Sequence, residues 1–434
     1  MLDINLIRKE TEKVREGLAR KGCRVDLDAF LDGDRRRRDL IQAGETLKAE
    51  RNRSSAQIPV LRREGKDASA LMADMKRIAE RIRAIDEELA VLESAQQEFL
   101  EGLPNLPADD VPAGGKENNQ VVSVFGSQPS FGFEPQHHVD LAEKLGLIDY
   151  VRGAKLGGSG HWIYRGDGAR IEWALLSYFM SEHHKDGYEM ILPPHILNWQ
   201  CGYTAGQFPK FSDEVFQIRG DEGEPDGGKG FTRFLLPTSE TALVNLYRDE
   251  VIDASQLPLK LYAYSPCYRK EAGSYRAEER GMIRGHQFNK IEMFQYTLPS
   301  DSGRALRELV GKASALMEGL GLHHRVSRLA AEDCSASMRE TCDIEVWIPS
   351  MNIYKEVSSA SNAGDYQARR GNIKYRDPET GRLEFVHTLN ASGLATSRIL
   401  PAILEQCQQA DGSVEIPAVL RPWMDGQERI APRA

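Results

Sequence analysis

The chain has 434 residues, 28% charged and 41% hydrophobic, which are ordinary proportions for a folded protein and more length than one core usually needs. A net charge of −9 excludes a globally basic nucleic-acid binder, although a polyanion requires only a local basic surface. No apolar run reaches the roughly 18 residues of a membrane span, and the six cysteines are scattered without a CxxC pair, as fits a reducing cytoplasm.

The opening Met1-Leu2-Asp3-Ile4-Asn5 lacks the basic-then-apolar pattern of a secretory leader. Leu71, Met75, Ile78, Ile82, Ile85, Leu89, Leu92, Gln96 and Phe99 then fall at alternating spacings of four and three, a coiled-coil seam broken only by Gln96. A helix over 68–99 would reach about 48 Å at about 1.5 Å per residue. Leu40, Leu47, Ile58 and Leu61 supply the facing seam, Gly65-Lys66-Asp67 the turn, and the two helices form an antiparallel hairpin. Pro59 inside the first helix is expected to kink or shorten it near its tip. From Arg35 to Lys66 there are ten Lys or Arg against four Asp or Glu. Such a face is either merely solvated or laid along an RNA backbone, where phosphate contacts supply affinity.

Pro104-Asn105-Leu106-Pro107 through Gly115 is rich in Pro, Gly and Asp and marks a domain boundary. Gly187 to Pro194 suits a helix-to-strand passage ending at prolines. Gly223 to Lys229 spells GxxxxGK, but Gly230 stands where Ser or Thr would hold magnesium, so a loop is expected there rather than a nucleotide cradle. The pairs His137-His138, His183-His184 and His323-His324 lack chelating i,i+4 spacing, and no zinc is expected. Leu235-Leu236-Pro237-Thr238-Ser239-Glu240 precedes a helical run, with Thr238 or Ser239 able to cap it.

Lys260 to Arg269 and Phe288 to Phe294 alternate as two strands around a charged loop. Arg269 and Glu271 should share a face while the pairing lasts, and Phe288, Glu292 and Phe294 another. An Arg, an aromatic ring and an acid on one sheet surface suit a ligand with a phosphate, a flat base and an amine.

Arg269-Lys270-Glu271-Ala272-Gly273, the loop Arg280 to Phe288, and Lys290-Ile291-Glu292 resemble the second signature motif of class II aminoacyl-tRNA synthetases in its seryl form. The resemblance covers nearly the whole chain, with Gly187–Pro194 similar to the first motif and Asn390 to Arg398 to the third. It implies an α+β fold: an N-terminal antiparallel helical coiled-coil arm in a domain over 1–103, a linker over 104–120, and a class II antiparallel sheet domain flanked by helices over 121–434. It also implies a serine–tRNA ligase that makes seryl-adenylate from L-serine and ATP, with Mg2+, and loads tRNA(Ser); tRNA(Sec) stays open as a second acceptor. A homodimer in the cytoplasm follows from the family alone, with neither membrane nor DNA as partner.

Carried over residue by residue, Thr238, Ser239, Glu240, Arg269, Glu292 and Ser392 form the amino-acid pocket, Glu240 accepting the serine hydroxyl and Glu292 pairing with the ammonium. Arg269 holds the α-phosphate, Arg398 the γ-phosphate, and Phe288 stacks on adenine. Lys270, Glu271, Val357 and Ser358 complete the ATP site, Arg269, Glu271 and Arg398 are the catalytic set, and Glu356 and Ser359 hold the metal. The basic face of 35–66 meets the tRNA. The sequence departs from the family at Ala360 and Ala363, where cysteines are frequent, and at Ala391 and Ser397, where bacterial members usually have glycine.

Two further readings stand beside this one. A degenerate relative that binds serine or tRNA without catalysis would be expected to have lost some of Arg269, Glu271, Glu292, Glu356 and Arg398, all of which are present. An adenylating enzyme with another acceptor would have no use for the arm. A duplicate synthetase resistant to a serine-mimicking inhibitor fits the same residues as the leading reading.

Overall fold

The structure, a computed structural model, describes residues 1–218, 230–271 and 281–432, and the chain divides into two compact units. The first spans Leu2–Ala19 and Cys23–Leu103. Two short helices, Ile4–Lys9 (α1) and Thr11–Arg20 (α2), precede the long helices Leu27–Arg63 (α3) and Ser69–Gly102 (α4). Asp26 starts α3 by accepting the N–H groups of Asp28 and Ala29. Gly65, at φ 67°, turns the chain between the long helices, a backbone region that favours glycine.

Along α4 the eight seam residues from Leu71 to Gln96 are each less exposed than their flanking positions, with Ile78 and Ile82 buried against Leu47. Gln96 does not interrupt the seam. Its Nε2 donates at 3.1 Å to Asp34, which is buried in α3 and also held by Arg8 at 2.7 and 2.8 Å. A buried carboxylate needs such partners, and the Arg8 hydrogen bonds hold the Asp34 carboxyl below its usual range. The expectation for Pro59 is corrected: α3 runs through it to Arg63 without being shortened. The helical donor that proline lacks would have met the carbonyl of Ser55, an exposed residue to which water has access.

The second unit comprises Met1, Arg20–Gly22 and Pro104–Ala434. Its centre is an eight-stranded sheet made of Gln120–Phe125 (β1), Glu189–Ile191 (β2), Leu259–Tyr268 (β3), Gln287–Thr297 (β4), His324–Arg328 (β5), Glu340–Ile348 (β6), Ile353–Gly364 (β7) and His387–Ala395 (β8). The order is β1-β5-β6-β7-β8-β4-β3-β2, antiparallel throughout except for the β2–β3 pair. Helices Asp167–Lys185 (α5), Ser302–Gly319 (α6) and Thr396–Gln406 (α7) contribute to the main core with Ile291 and Met293 of β4.

Strand alternation therefore divides β4. Odd residues meet the helices, while Phe288, Lys290 and Glu292 face the other way and Phe294 enters a second, smaller core. The β3–β4 register ends at Tyr268 with Gln287, so Arg269 and Glu271 are not held as strand neighbours; Glu271 sits at φ 50° and turns the chain instead. Gly393 in β8 has no room for a side chain, because a Cβ there would lie 2.3 Å from His183 Nε2. The GxxxxGK run, and Ala272 to Arg280 of the long loop, lie outside the described residues; a short strand, Arg233–Leu235, comes after the former.

Candidate active site

On the sheet face away from those helices is a cavity of about 520 Å³, a size suited to a small organic ligand. A smaller recess of about 90 Å³ shares Arg269, Glu271, Lys290, Glu356, Ser392 and Arg398 with it and adds Phe288 and Val357. Residues from β4, β7, β8 and the start of α7, far apart in sequence, thus converge on one cleft.

Thr238 and Glu240 line one end of the larger cavity, at the start of the short helix Glu240–Leu243. Glu240 is buried and accepts from Gln367 Nε2 at 2.7 Å; Gln367 in turn accepts from Thr388 Oγ1 at 2.7 Å. Burial, then the charge of Glu292, pushes the Glu240 carboxyl up to about 7, against the pull of Gln367, Lys290 and Arg269. Glu292 is fully buried, with Oε1 accepting from Asn390 Nδ2 at 3.0 Å and Oε2 from Thr238 Oγ1 at 3.2 Å. The Lys290 ammonium pairs with the same Oε2 and donates to Thr238 Oγ1 at 2.6 Å.

At the other end Arg269 Nε donates to Pro237 O at 3.2 Å, and its guanidinium lies 5.2 Å from the Phe288 ring centre. His286 closes the turn: Arg269 N–H donates to its carbonyl, and its Nδ1 donates to Arg269 O at 3.0 Å. Arg398, in the first turn of α7, donates from Nη1 to Glu356 O at 2.7 Å. Arg284 pairs with Glu271 at 2.7 Å. Several guanidinium groups in one cleft, one of them at a helix N-terminus, make a strong anion site.

Glu356 and Ser359 are three apart and would face opposite sides of a regular strand. The register shifts between Ile344–Ser358 and Glu345–Glu356, a bulge that turns both toward the cavity. Ser359 Oγ donates at 2.7 Å to Asp343, whose carboxyl is pushed well above its usual range by burial and by the Glu356 charge. An oxygen-only donor set with excess negative charge fits a hard cation such as magnesium.

Four expected site residues do not line the cavity or the recess. Ser239 does not reach the cavity, because its buried hydroxyl is bonded to Ser265 Oγ at 2.6 Å. Ser358 is likewise buried and donates to Ser392 O at 2.6 Å, tying β7 to β8. Lys270 is not on either wall, and its N–H donates to Glu214 O as the chain leaves the sheet. Glu292 is not at the surface of the cleft either, lying beneath Lys290.

Sequence reasoning assigns no role to Lys290, Gln367, Asn390 and Arg284, although all but Gln367 lie inside the motif runs; charge and hydrogen-bonding capacity are the available signal. The run 335–338 supplies Ser335, Ala336, Ser337 and Met338 to the cavity wall. Buried Asn105, within the predicted linker, fixes that run by donating to Ser337 O at 2.9 Å. Away from the cleft, His137, His138 and Glu405 place possible ligand atoms within 4.8 Å. Their capacity is already committed: Glu405 accepts from His138 Nδ1 at 2.6 Å and from Ser350 N and Oγ, and His137 Nδ1 accepts the Val139 N–H.

In the helical unit the basic run is mostly neutralised. Arg36 pairs with Glu88, Arg37 with Glu93, Arg38 with Asp34 and Lys48 with Asp86. Among the described residues, Arg51, Arg53, Arg62 and Arg63 have no ion pair, and they lie toward the far half of α3.

Comparison with known proteins bears on both units. The seryl-tRNA synthetase N-terminal domain family matches residues 1–107, and the class II tRNA synthetase core domain family (G, H, P, S and T) matches 230–407. The chain is 59% identical to serine–tRNA ligase 2 of Clostridium acetobutylicum, covering 99% of this chain and 100% of that protein. It is 43% identical to the serine–tRNA ligase of Nitratidesulfovibrio vulgaris, with 99% and 100% covered. The seryl-tRNA synthetase of Pyrococcus horikoshii, solved with ATP, superposes with a TM-score of 0.92 at 30% identity over 100% of both chains.

Proposed function

The chain belongs to the seryl-tRNA synthetase family, and on that premise we propose that it activates L-serine with ATP and transfers it to tRNA(Ser). The observation that carries the reading is the joining, in one cleft, of a carboxylate–threonine pocket at Thr238 and Glu240, with Glu292 bonded to Thr238 beneath it, to the arginines Arg269 and Arg398. A hydroxylated amino acid and a triphosphate fit such a cleft side by side.

In the first step a serine carboxylate oxygen attacks the α-phosphorus, the bond from that phosphorus to the bridging oxygen breaks, and pyrophosphate leaves. Positioning and charge neutralisation carry the step rather than covalent help from the protein. Arg269 holds the α-phosphate, Arg398 the γ-phosphate, and Phe288 offers its ring to adenine once Arg269 turns to the phosphate. Glu240 accepts the serine hydroxyl, and alanine is rejected because Glu240 would then stay buried without that donor. Glu356 and Ser359 would hold magnesium, which when bound supplies charge neutralisation at the phosphates. In the second step a ribose hydroxyl of the tRNA 3′ end attacks the activated carbonyl and AMP leaves.

Exposed apolar side chains at Met190 and Leu192, on the helix-to-strand passage, and at Trp173 on α5 support a homodimer. No helix among the described residues is long and apolar enough to cross a membrane, in keeping with a cytoplasmic enzyme. ATP–pyrophosphate exchange with serine, alanine and threonine, and then charging of total tRNA with labelled serine, tests the reading. Serine-dependent exchange and charging are expected; exchange without charging, or neither, overturns it.

A further inference from the structure

The carboxylate that should receive the substrate ammonium is already occupied by an ammonium of the protein. Lys290 Nζ pairs with Glu292 Oε2 and donates to Thr238 Oγ1 at 2.6 Å. The remaining contacts of Glu292 are Asn390 at 3.0 Å and Thr238 at 3.2 Å, so its carboxylate has a full set of partners without substrate. Lys290 lines both the larger cavity and the recess holding Phe288 and Arg398, whereas Glu292 lines neither. Serine cannot reach Glu292 without moving this side chain.

The movement has both a path and a destination. Lys290 itself borders both open spaces, and its partner across β3, Ser265, is a small residue. A four-carbon stem lets an ammonium swing where a rigid guanidinium would not. The recess it can reach carries Arg269 and Arg398, the groups facing the phosphates.

We propose that Lys290 is a two-position cation: it stands in for the serine ammonium on Glu292 in the empty site, and serine displaces it toward the nucleotide phosphates. This rests on the reading of the cleft as a serine and ATP site and deepens it. Displacement leaves an ammonium near the phosphates only when serine is bound, so serine and ATP strengthen each other's binding, reciprocally. A free lysine cation beside the phosphates with no serine present is avoided.

Calorimetric titration of serine, without and with a non-hydrolysable ATP analogue, tests it on the full-length wild type and on Lys290→Met. Wild type should bind serine about fivefold or more tightly when the analogue is present. The variant, with no competitor on Glu292, should bind serine alone more tightly than wild type and gain nothing from the analogue. A general loss of structure would weaken binding in both arms. Weaker serine binding by the variant with the enhancement intact overturns the proposal, since Lys290 would then help serine from where it stands.

Should the variant not fold, amine-directed labelling of Lys290 in wild type, read by peptide mass spectrometry, decides the matter. Serine alone should raise labelling, and serine with the analogue should suppress it; protection unchanged by serine overturns the displacement. A wild type that binds no serine at all defeats the underlying reading instead.

Discussion

Glu172 offers a test of the buried architecture that does not depend on catalysis. It projects from α5, and its Oε1 accepts from Asn289 Nδ2 on β4 at 2.7 Å and from Thr396 Oγ1 at the start of α7 at 2.5 Å. One carboxyl thus ties together the elements that carry Phe288 and Arg398. Burial pushes it from an ordinary 4.5 up to about 7, and the hydrogen bonds from Thr396 and Asn289 offset only part of that. Because the folded value lies above the unfolded one, the folded state holds more protons in between. Its stability is fully present below about 4.5 and is lost as pH rises toward and through 7.

Integrated between pH 5 and pH 8, this costs wild type roughly 2–3 kcal/mol that an uncharged residue would not lose. Glu172→Gln keeps an acceptor for Asn289 and Thr396 but adds an amide whose N–H groups need partners, a cost about equal at both pH values. The difference between variant and wild type should therefore move by roughly 2–3 kcal/mol in favour of the variant from pH 5 to pH 8, whatever its absolute sign. Chemical denaturation at several pH values measures this. A difference that stays constant from pH 5 to pH 8 would refute the reasoning and place the charged form of Glu172 in a far better solvated setting.

Three further outcomes are expected of the cleft and the arm. Arg269→Ala should cut ATP–pyrophosphate exchange by about 10²–10³-fold or more with the circular dichroism spectrum unchanged; near-normal exchange refutes the phosphate assignment. Serine KM should fall as pH rises through about 7, because the ionised Glu240 carboxylate accepts the serine hydroxyl better than its protonated form. Glu240→Gln should flatten that profile, and an identical pH dependence in the variant would place the titration elsewhere. Neutralising Arg51, Arg53, Arg62 and Arg63 together should leave exchange intact yet lower the salt slope of tRNA affinity by up to about 3. An unaltered slope would show that the RNA does not lie along those residues.

The parts of the fold that are legible in the sequence are those whose signal is local. The seam of α4 repeats within one helix, and the β3–β4 hairpin alternates within each strand, so composition and spacing suffice. Gln96 shows where this stops. Within α4 it is a flaw in the seam, and only the approach of Asp34, 62 residues away, makes it a matched contact. The charge of the run from Arg35 is likewise not set by one helix, since the acids that pair with Arg36, Arg37 and Lys48 lie on the other. Roles in the cleft come from resemblance to a family rather than from spacing. Ser239 and Ser358 adjoin wall residues in the motifs, whereas their hydroxyls are bonded to Ser265 Oγ and Ser392 O.

The bulges explain why alternation cannot separate these cases. In an unbroken strand, Glu356 and Ser359 would lie on opposite faces, and so would Ser392 and Ala395. Yet all four line the cleft, because one residue is added to β7 near Val357 and one to β8 between Ser392 and Ala395. Each bulge flips the parity of the residues beyond it, so the same strand feeds the main core on one side and the cleft on the other at a spacing of three. A bulge has no residue signature strong enough to find it in a single sequence, and it exists only as a mismatch between two paired strands. The chemistry here depends on that mismatch: it sets Glu356 beside Ser359 and carries β8 from Ser392, by Glu292, into the turn of α7 that holds Arg398.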